Sequence, residues 1–169
     1  SAAKGAPADL VELEVVGVVP LESENASLLV LRQKGGATVL PIFVGKSEGA
    51  SIDLRLKRAP SPRPLAADLL EHAIAELGGR VLRVEIDGVQ TALFRARVRL
   101  QQGERRFDLE ARPSDSVALA MSTRAPIFAT RAVMEEAGLS KKDMDRLKGG
   151  PTAETPDDES AAKAGAQSF

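Results

Sequence analysis

The chain has 169 residues, 43% of them apolar and 28% charged. That is ordinary globular composition, which excludes collagen and wholesale disorder, and no apolar run approaches the roughly 18 residues of a membrane-spanning helix. With no Cys, one His, no Trp or Tyr, five Phe and a formal net charge of -1, thiolate metal sites, disulfides and Cys nucleophiles are excluded. Nothing global marks a polyanion partner, and platforms for base stacking are few.

Residues 1–9 are small and polar and read as an N-terminal extension with no signal-peptide pattern, so the chain is expected in the cytoplasm. Residues 10–19 mix β-branched side chains with alternating Glu and predict a strand. Two more strands follow at 26–32 and 37–44, joined by a Gly35-Gly36 turn. Pro41, which has no N–H to donate, should place the third strand at a sheet edge or a bulge. Residues 46–57 are ambiguous on period alone and are read as a helix from the repeat described below. Pro60, Pro62 and Pro64 then enforce an extended loop. Residues 65–78 predict an amphipathic helix whose apolar face is Leu65, Leu69, Leu70, Ala73, Ile74 and Leu77, stopped by Gly78-Gly79.

Three further strands are expected at 80–89, 92–101 and 104–111, with Gln102-Gly103 turning the second hairpin. Arg95, Arg97 and Arg99 alternate with apolar residues and so share one face. A helix over 114–123 is apolar on nearly every side and must be buried, with a subunit interface as the place considered for it. A short strand at 126–128 and helices at 131–137 and 140–147 complete the domain, with Ser140 as an N-cap. Residues 149–169 read as an acidic, flexible tail in which Glu154, Asp157, Asp158 and Glu159 face only Lys163. The folded domain is therefore 10–148.

The pattern strand, strand, Gly turn, strand, helix occurs at 11–57 and again at 80–123. At an offset of 67 residues Gly36 matches Gly103, Ile42 matches Leu109, Ser47 matches Ser114 and Glu48 matches Asp115. The fold class expected is α+β: a mixed β-sheet layered with helices, built from two strand-strand-strand-helix repeats.

Three constellations could carry chemistry. Ser47-Glu48 and Ser114-Asp115 each follow a strand and open a helix. They read either as caps complementing the helix dipole, or as two carboxylates brought together by pseudo-symmetry to hold a hard divalent cation. Asp68, His72 and Glu76 fall at i, i+4 and i+8 of one helix, either a solvated face or a metal stripe. Arg112 beside Asp115 either braces a strand-to-helix corner or clamps a phosphate. The basic groups Arg55, Lys57, Arg58 and Arg63, and Arg95, Arg97 and Arg99, are either solvated faces or phosphate-facing patches. No P-loop or dinucleotide-binding glycine pattern occurs.

Four segments, in order and spacing, resemble the bifunctional nuclease domain family over roughly residues 10–138. They are Leu40-Pro41-Ile42-Phe43-Val44-Gly45 followed by Glu48, Pro62-Arg63-Pro64-Leu65 followed by Asp68, Ala111-Arg112-Pro113-Ser114-Asp115-Ser116, and Ala125-Pro126-Ile127-Phe128. The resemblance implies a compact α+β domain that tends to form homodimers or higher homo-oligomers, with DNase and RNase activity. It implies Glu48, Asp68, Asp115 and Arg112 as catalytic positions; the pseudo-symmetric pairing of Glu48 and Asp115 is the expected place for Mg²⁺ or Mn²⁺. Arg63, Arg112 and Ser114 would face the nucleic acid, and no organic cofactor is implied. The chain departs from the family pattern at two places. Members usually read Thr-His before the Asp, where this chain has Ala66-Ala67, and Glu-Ala where it has Glu48-Gly49. The lost imidazole could cost about 10²–10⁴ in rate if it acted as acid or base, with His72 as a possible substitute. The expected function is metal-assisted phosphodiester hydrolysis. The alternatives are a non-catalytic oligomeric regulatory or scaffold module on the same fold, and a small-ligand binder in the repeat cleft.

Overall fold

A computed structural model describes residues 9–22 and 24–148. The expectations for 1–8 and for the tail at 149–169 lie outside the described residues. The elements run β1 (Leu10–Leu21), β2 (Ala26–Gln33), β3 (Val39–Gly45), α1 (Lys46–Leu56), α2 (Ala66–Glu76), β4 (Gly79–Gln90), β5 (Leu93–Gln102), β6 (Arg105–Ala111), α3 (Pro113–Thr123), β7 (Ile127–Thr130), α4 (Arg131–Ala137) and α5 (Lys141–Lys148). All seven strands form one mixed sheet in the order β3-β2-β1-β7-β4-β5-β6. Two antiparallel meanders, β1–β2–β3 and β4–β5–β6, flank β7, which pairs antiparallel to β1 and parallel to β4. Each meander runs directly into a helix, α1 or α3, so the connectivity is that of an α+β domain.

Local chemistry explains the turns and edges. Gly35 and Gly103 sit at φ +73° and +58°, left-handed conformations that glycine takes without Cβ strain. Pro41 lies on β3, an edge strand, where its missing N–H leaves no central ladder bond unmade. Residues 46–56 are helical as the repeat predicted, and Ile52 is fully buried.

Alternate residues of the strands face a helix layer. Leu29 and Leu31 of β2, Leu40 and Ile42 of β3, Val84 and Ile86 of β4, and Ala96 and Val98 of β5 pack with Ile52, Val117, Leu119 and Val133 in one core. On the opposite sheet face a smaller cluster joins Leu28, Val30 and Val39 to Met144 of α5. Ser140 caps α5 as expected, its Oγ accepting from Asp143 N at 3.2 Å.

Two packing expectations need correction. Helix α3 is buried, but within its own chain: Ser114, Ser116, Val117, Ala118, Leu119 and Ala120 are covered by the sheet and by α1 and α2. Its apolar surface is therefore no argument for a subunit interface. Conversely, the apolar face of α2 is not a core face. Leu69 is 68% exposed, Leu77 73% and Leu70 46%, and only Ile74 and Ala67 pack against the core.

The arginines of β5 do share one face, and they are matched there by carboxylates. Arg95 and Arg97 donate to Asp87 at 2.9 and 2.6 Å, and Arg99 donates to Glu85 at 3.0 Å and also to Asp108. Glu85 is buried and also accepts from Arg83 at 2.6 Å. Burial pushes its carboxyl up, but Arg99 and Arg83 outweigh that and hold it below the usual carboxylate range. This face is a cross-strand ion-pair ladder, the local reading of the basic run.

Candidate functional site

The three candidate carboxylates occupy the same position in three helices. Glu48, Asp68 and Asp115 are each the third residue of α1, α2 and α3, so each stands in the first turn, where a negative charge complements the helix dipole. The expected serine caps do not form. Ser47 and Ser114 lie inside the helices at the second position. The N-caps are Gly45 and Arg112, and neither accepts a side-chain hydrogen bond there. Each helix starts one residue before its serine because the preceding strand hands over directly, leaving the serine no flanking position to cap from.

Glu48 and Asp115 converge. Arg112 donates through Nε and Nη2 to the two oxygens of Asp115 at 2.8 and 3.1 Å, and Nη2 also lies 3.5 Å from Glu48 Oε1. The two carboxylates, 67 residues apart, thus share one guanidinium. The hydrogen bond and charge of Asp115, then the charge of Glu48, hold that guanidinium even more firmly protonated than an ordinary arginine. Glu48 reaches this position by folding back over Gly45: a Cβ there would stand 2.0 Å from Glu48 Oε2. The absent Cβ is what lets the carboxylate lie there.

Asp68 is engaged elsewhere. Its Oδ2 accepts from Leu65 N at 2.7 Å, closing the first turn of α2, and its Oδ1 accepts from Arg55 Nη2 of α1 at 2.8 Å. Ser122 of α3 donates to Asp68 at 3.3 Å and also to Glu71. Burial pushes the Asp68 carboxyl up, but the Leu65 N–H, Arg55 and the Ser122 hydroxyl together hold it below the usual range. The result is a knot joining three helices. Arg55 also has a buried Nε with no hydrogen-bond partner. It was visible in the sequence only as part of a basic run; the signal that would have singled it out, a partner 13 residues away, is tertiary.

These groups border two adjoining clefts. The first, about 410 Å³, is lined by Glu48, Asp115, Arg112 and Ser114, with Ala66 and Ala67 beside them. The second, about 390 Å³, is lined by Arg63, Asp68 and His72. Arg55 and Leu65 line both, so the Arg55–Asp68 bridge stands where they meet. The site residues expected from sequence therefore divide. Glu48, Asp115, Arg112 and Ser114 come together, whereas Asp68, Arg63 and His72 line the second cleft, and Glu76 lines neither. Ala66 and Ala67 border the first cleft, and His72 lines only the second. Gly49 has a packing cause: a Cβ there would lie 2.7 Å from Ser27 Cβ, because α1 approaches β2 closely.

Among the described residues no group of three or more His, Cys, Asp or Glu is placed to hold a metal ion. The two carboxylates sharing Arg112 nevertheless fit the donor chemistry of Mg²⁺ or Mn²⁺. Such ions are commonly held by one or two carboxylates, with waters and a substrate phosphate completing the shell. No helix among the described residues is long and apolar enough to cross a membrane.

The model of the bifunctional nuclease domain matches residues 29–142. Two uncharacterised proteins of Mycobacterium tuberculosis, MT1877 of strain CDC 1551 / Oshkosh and Rv1829 of strain ATCC 25618 / H37Rv, are each 39% identical over 128 residues, covering 76% of this chain and 76% of theirs. The matched segment includes the first turns of α1, α2 and α3 and both clefts. On the extent of that match, the chain belongs to the bifunctional nuclease domain family.

Proposed function

We propose that the chain is a nuclease hydrolysing phosphodiester bonds of DNA or RNA, with its reacting centre in the cleft between the first turns of α1 and α3. The observation that carries this reading is the convergence of Glu48 and Asp115 on Arg112. Glu48 and Asp115 would hold Mg²⁺ or Mn²⁺. When bound, such an ion supplies a polarised phosphate oxygen and a more acidic water. Arg112 is exposed beside its carboxylates; once a cation takes them, its guanidinium would be released to a phosphate in the cleft, and Ser114 lines the same space. Asp68 acts as a positioning residue: it fixes Arg55 and the start of α2, and with them the cleft wall. With no imidazole in this cleft, proton transfer falls to the carboxylates and water.

Purified protein with Mg²⁺ or Mn²⁺ should nick plasmid DNA or degrade RNA, and EDTA should stop it. Glu48→Ala with Asp115→Ala should lower the rate by about 10²-fold or more, the scale of losing a main electrostatic element of a site. Undiminished cleavage by that double variant overturns the proposal.

A second reading, a non-catalytic homo-oligomeric module, is favoured by the uncovered Leu69, Leu70 and Leu77 of α2. Sedimentation velocity should then show a dimer or larger species that Leu69→Glu with Leu77→Glu converts to monomer. A monomer already in the parent chain at high micromolar concentration removes this reading.

A further inference from the structure

A third depression adjoins the two clefts. About 800 Å³ in volume, it lies at the end of the β4–β5 hairpin and is lined by Leu93, Phe94, Arg95 and Arg112 among others. Arg112 lines both this depression and the central cleft, as Arg55 lines the central cleft and the one beyond. The depressions therefore meet in pairs, each pair at a shared arginine. The two ends differ in chemistry. At the hairpin end Leu93 is 78% exposed beside the half-buried ring of Phe94, an apolar platform. At the far end Arg63 is exposed, and neither its guanidinium nor the His72 ring has a hydrogen-bond or ion-pair partner among the described residues. This free cation contrasts with the arginines of the β5 ladder, each tied to a carboxylate.

We infer that these three depressions form a single binding track for an unpaired nucleic-acid strand about three nucleotides long, with one base on Leu93 and Phe94, the central phosphate at Arg112, and a neighbouring phosphate at Arg63. The inference rests on the proposed nuclease reading and names its substrate form. A base-paired duplex turns its base faces inward and offers an apolar platform nothing to stack, whereas an unpaired strand presents both a base face and successive phosphates.

The test is fluorescence anisotropy with nuclease-resistant phosphorothioate oligothymidylates and oligouridylates of one to six nucleotides, and a duplex of matching sequence, in Mg²⁺. Affinity should rise with length to about three nucleotides and then level, and the duplex should bind at least about tenfold more weakly. Arg63→Ala and Leu93→Glu, both at exposed positions that spare the fold, should each weaken hexamer binding by about tenfold, while Arg112→Ala weakens every length. The two sugar series tell which backbone the track takes. A hexamer binding no tighter than a dinucleotide, a duplex binding as tightly as a single strand, or Arg63→Ala and Leu93→Glu both binding like the parent chain overturns the track. If Arg112→Ala still weakens binding in that case, the central site survives. If Arg112→Ala also leaves every affinity unchanged, the nuclease reading falls with the track.

Discussion

The first turn of α2 and the paired first turns of α1 and α3 use the same components, a carboxylate at the third helical position and an arginine within reach, and arrive at opposite outcomes. At α2 the pair is closed. Arg55 and Asp68 are 14% and 28% exposed, the carboxylate accepts from a backbone N–H, a guanidinium and a hydroxyl, and three helices depend on it. At α1 and α3 the pair is open. Arg112 is 65% exposed, Asp115 50% and Glu48 31%, and two carboxylates compete for one guanidinium. A carboxylate whose oxygens are all matched by its own chain has little left for a ligand. Two that share one exposed cation can exchange it for another. What separates the closed pair from the open one is thus the count and exposure of partners, not residue type or helix position.

That contrast can be broken by mutation. The widest separation should come from Asp68→Ala, which removes one side of a mostly buried pair and leaves Arg55 uncompensated. Discounted for its partial exposure, the loss is about 1–3 kcal/mol of stability, read from urea unfolding midpoints. Glu48→Ala and Asp115→Ala should each cost under about 0.5 kcal/mol while removing activity. Equal destabilisation at all three positions would dissolve the distinction. A subtler effect is its pH dependence. The folded chain holds the Asp68 proton less tightly than the unfolded chain does, so the unfolded state binds more protons in the acid range and stability rises with pH there. The contribution is complete above the ordinary carboxylate value of about 4 and is lost as pH falls through and below it. Asp68→Asn should flatten that acid limb in thermal melts, and an unchanged limb would contradict the assignment.

The smallest change sharpens the open site. Gly45→Ala places a methyl where Glu48 Oε2 lies, and the clash is with the far end of a flexible side chain. Stability should therefore move little. The carboxylate must swing away from Arg112, however, and a misplacement of that size in a reacting site costs on the order of 10-fold to 10²-fold in rate. A Gly45→Ala protein with full activity would show that Glu48 need not lie where the structure has it.

Much of this arrangement was legible in the sequence because it is local. Strand alternation, the Gly35 and Gly103 turns, Pro41 on an edge strand and the all-round apolar α3 follow from short-range chemistry. Residues 46–56 required comparison with their counterpart, since Ile52-Asp53-Leu54-Arg55 alternates like a strand yet coils. Three features were not legible. The outward face of α2 depends on which elements already cover the sheet, and a leucine stripe says only that something apolar should meet it. The capping role read for Ser47 and Ser114 failed because α1 and α3 begin at Lys46 and Pro113, one residue before each serine, a boundary finer than periodicity resolves. Which of three acidic residues is tied down was set by Arg55 and Ser122, partners 13 and 54 residues away from Asp68. The family resemblance picked out all three acids alike; the geometry sets Asp68 apart from the other two by how fully it is paired.

If Glu48 and Asp115 act as one cation-binding pair, uptake of a divalent ion depends on both. The most direct test is Mn²⁺ titration followed by electron paramagnetic resonance, in which bound Mn²⁺ loses the sharp signal of the free ion. The parent chain should take up one Mn²⁺ that Mg²⁺ displaces, Asp68→Asn should keep it, and Glu48→Gln with Asp115→Asn should not. Undiminished uptake by that last variant, or no uptake by the parent, would contradict the claim.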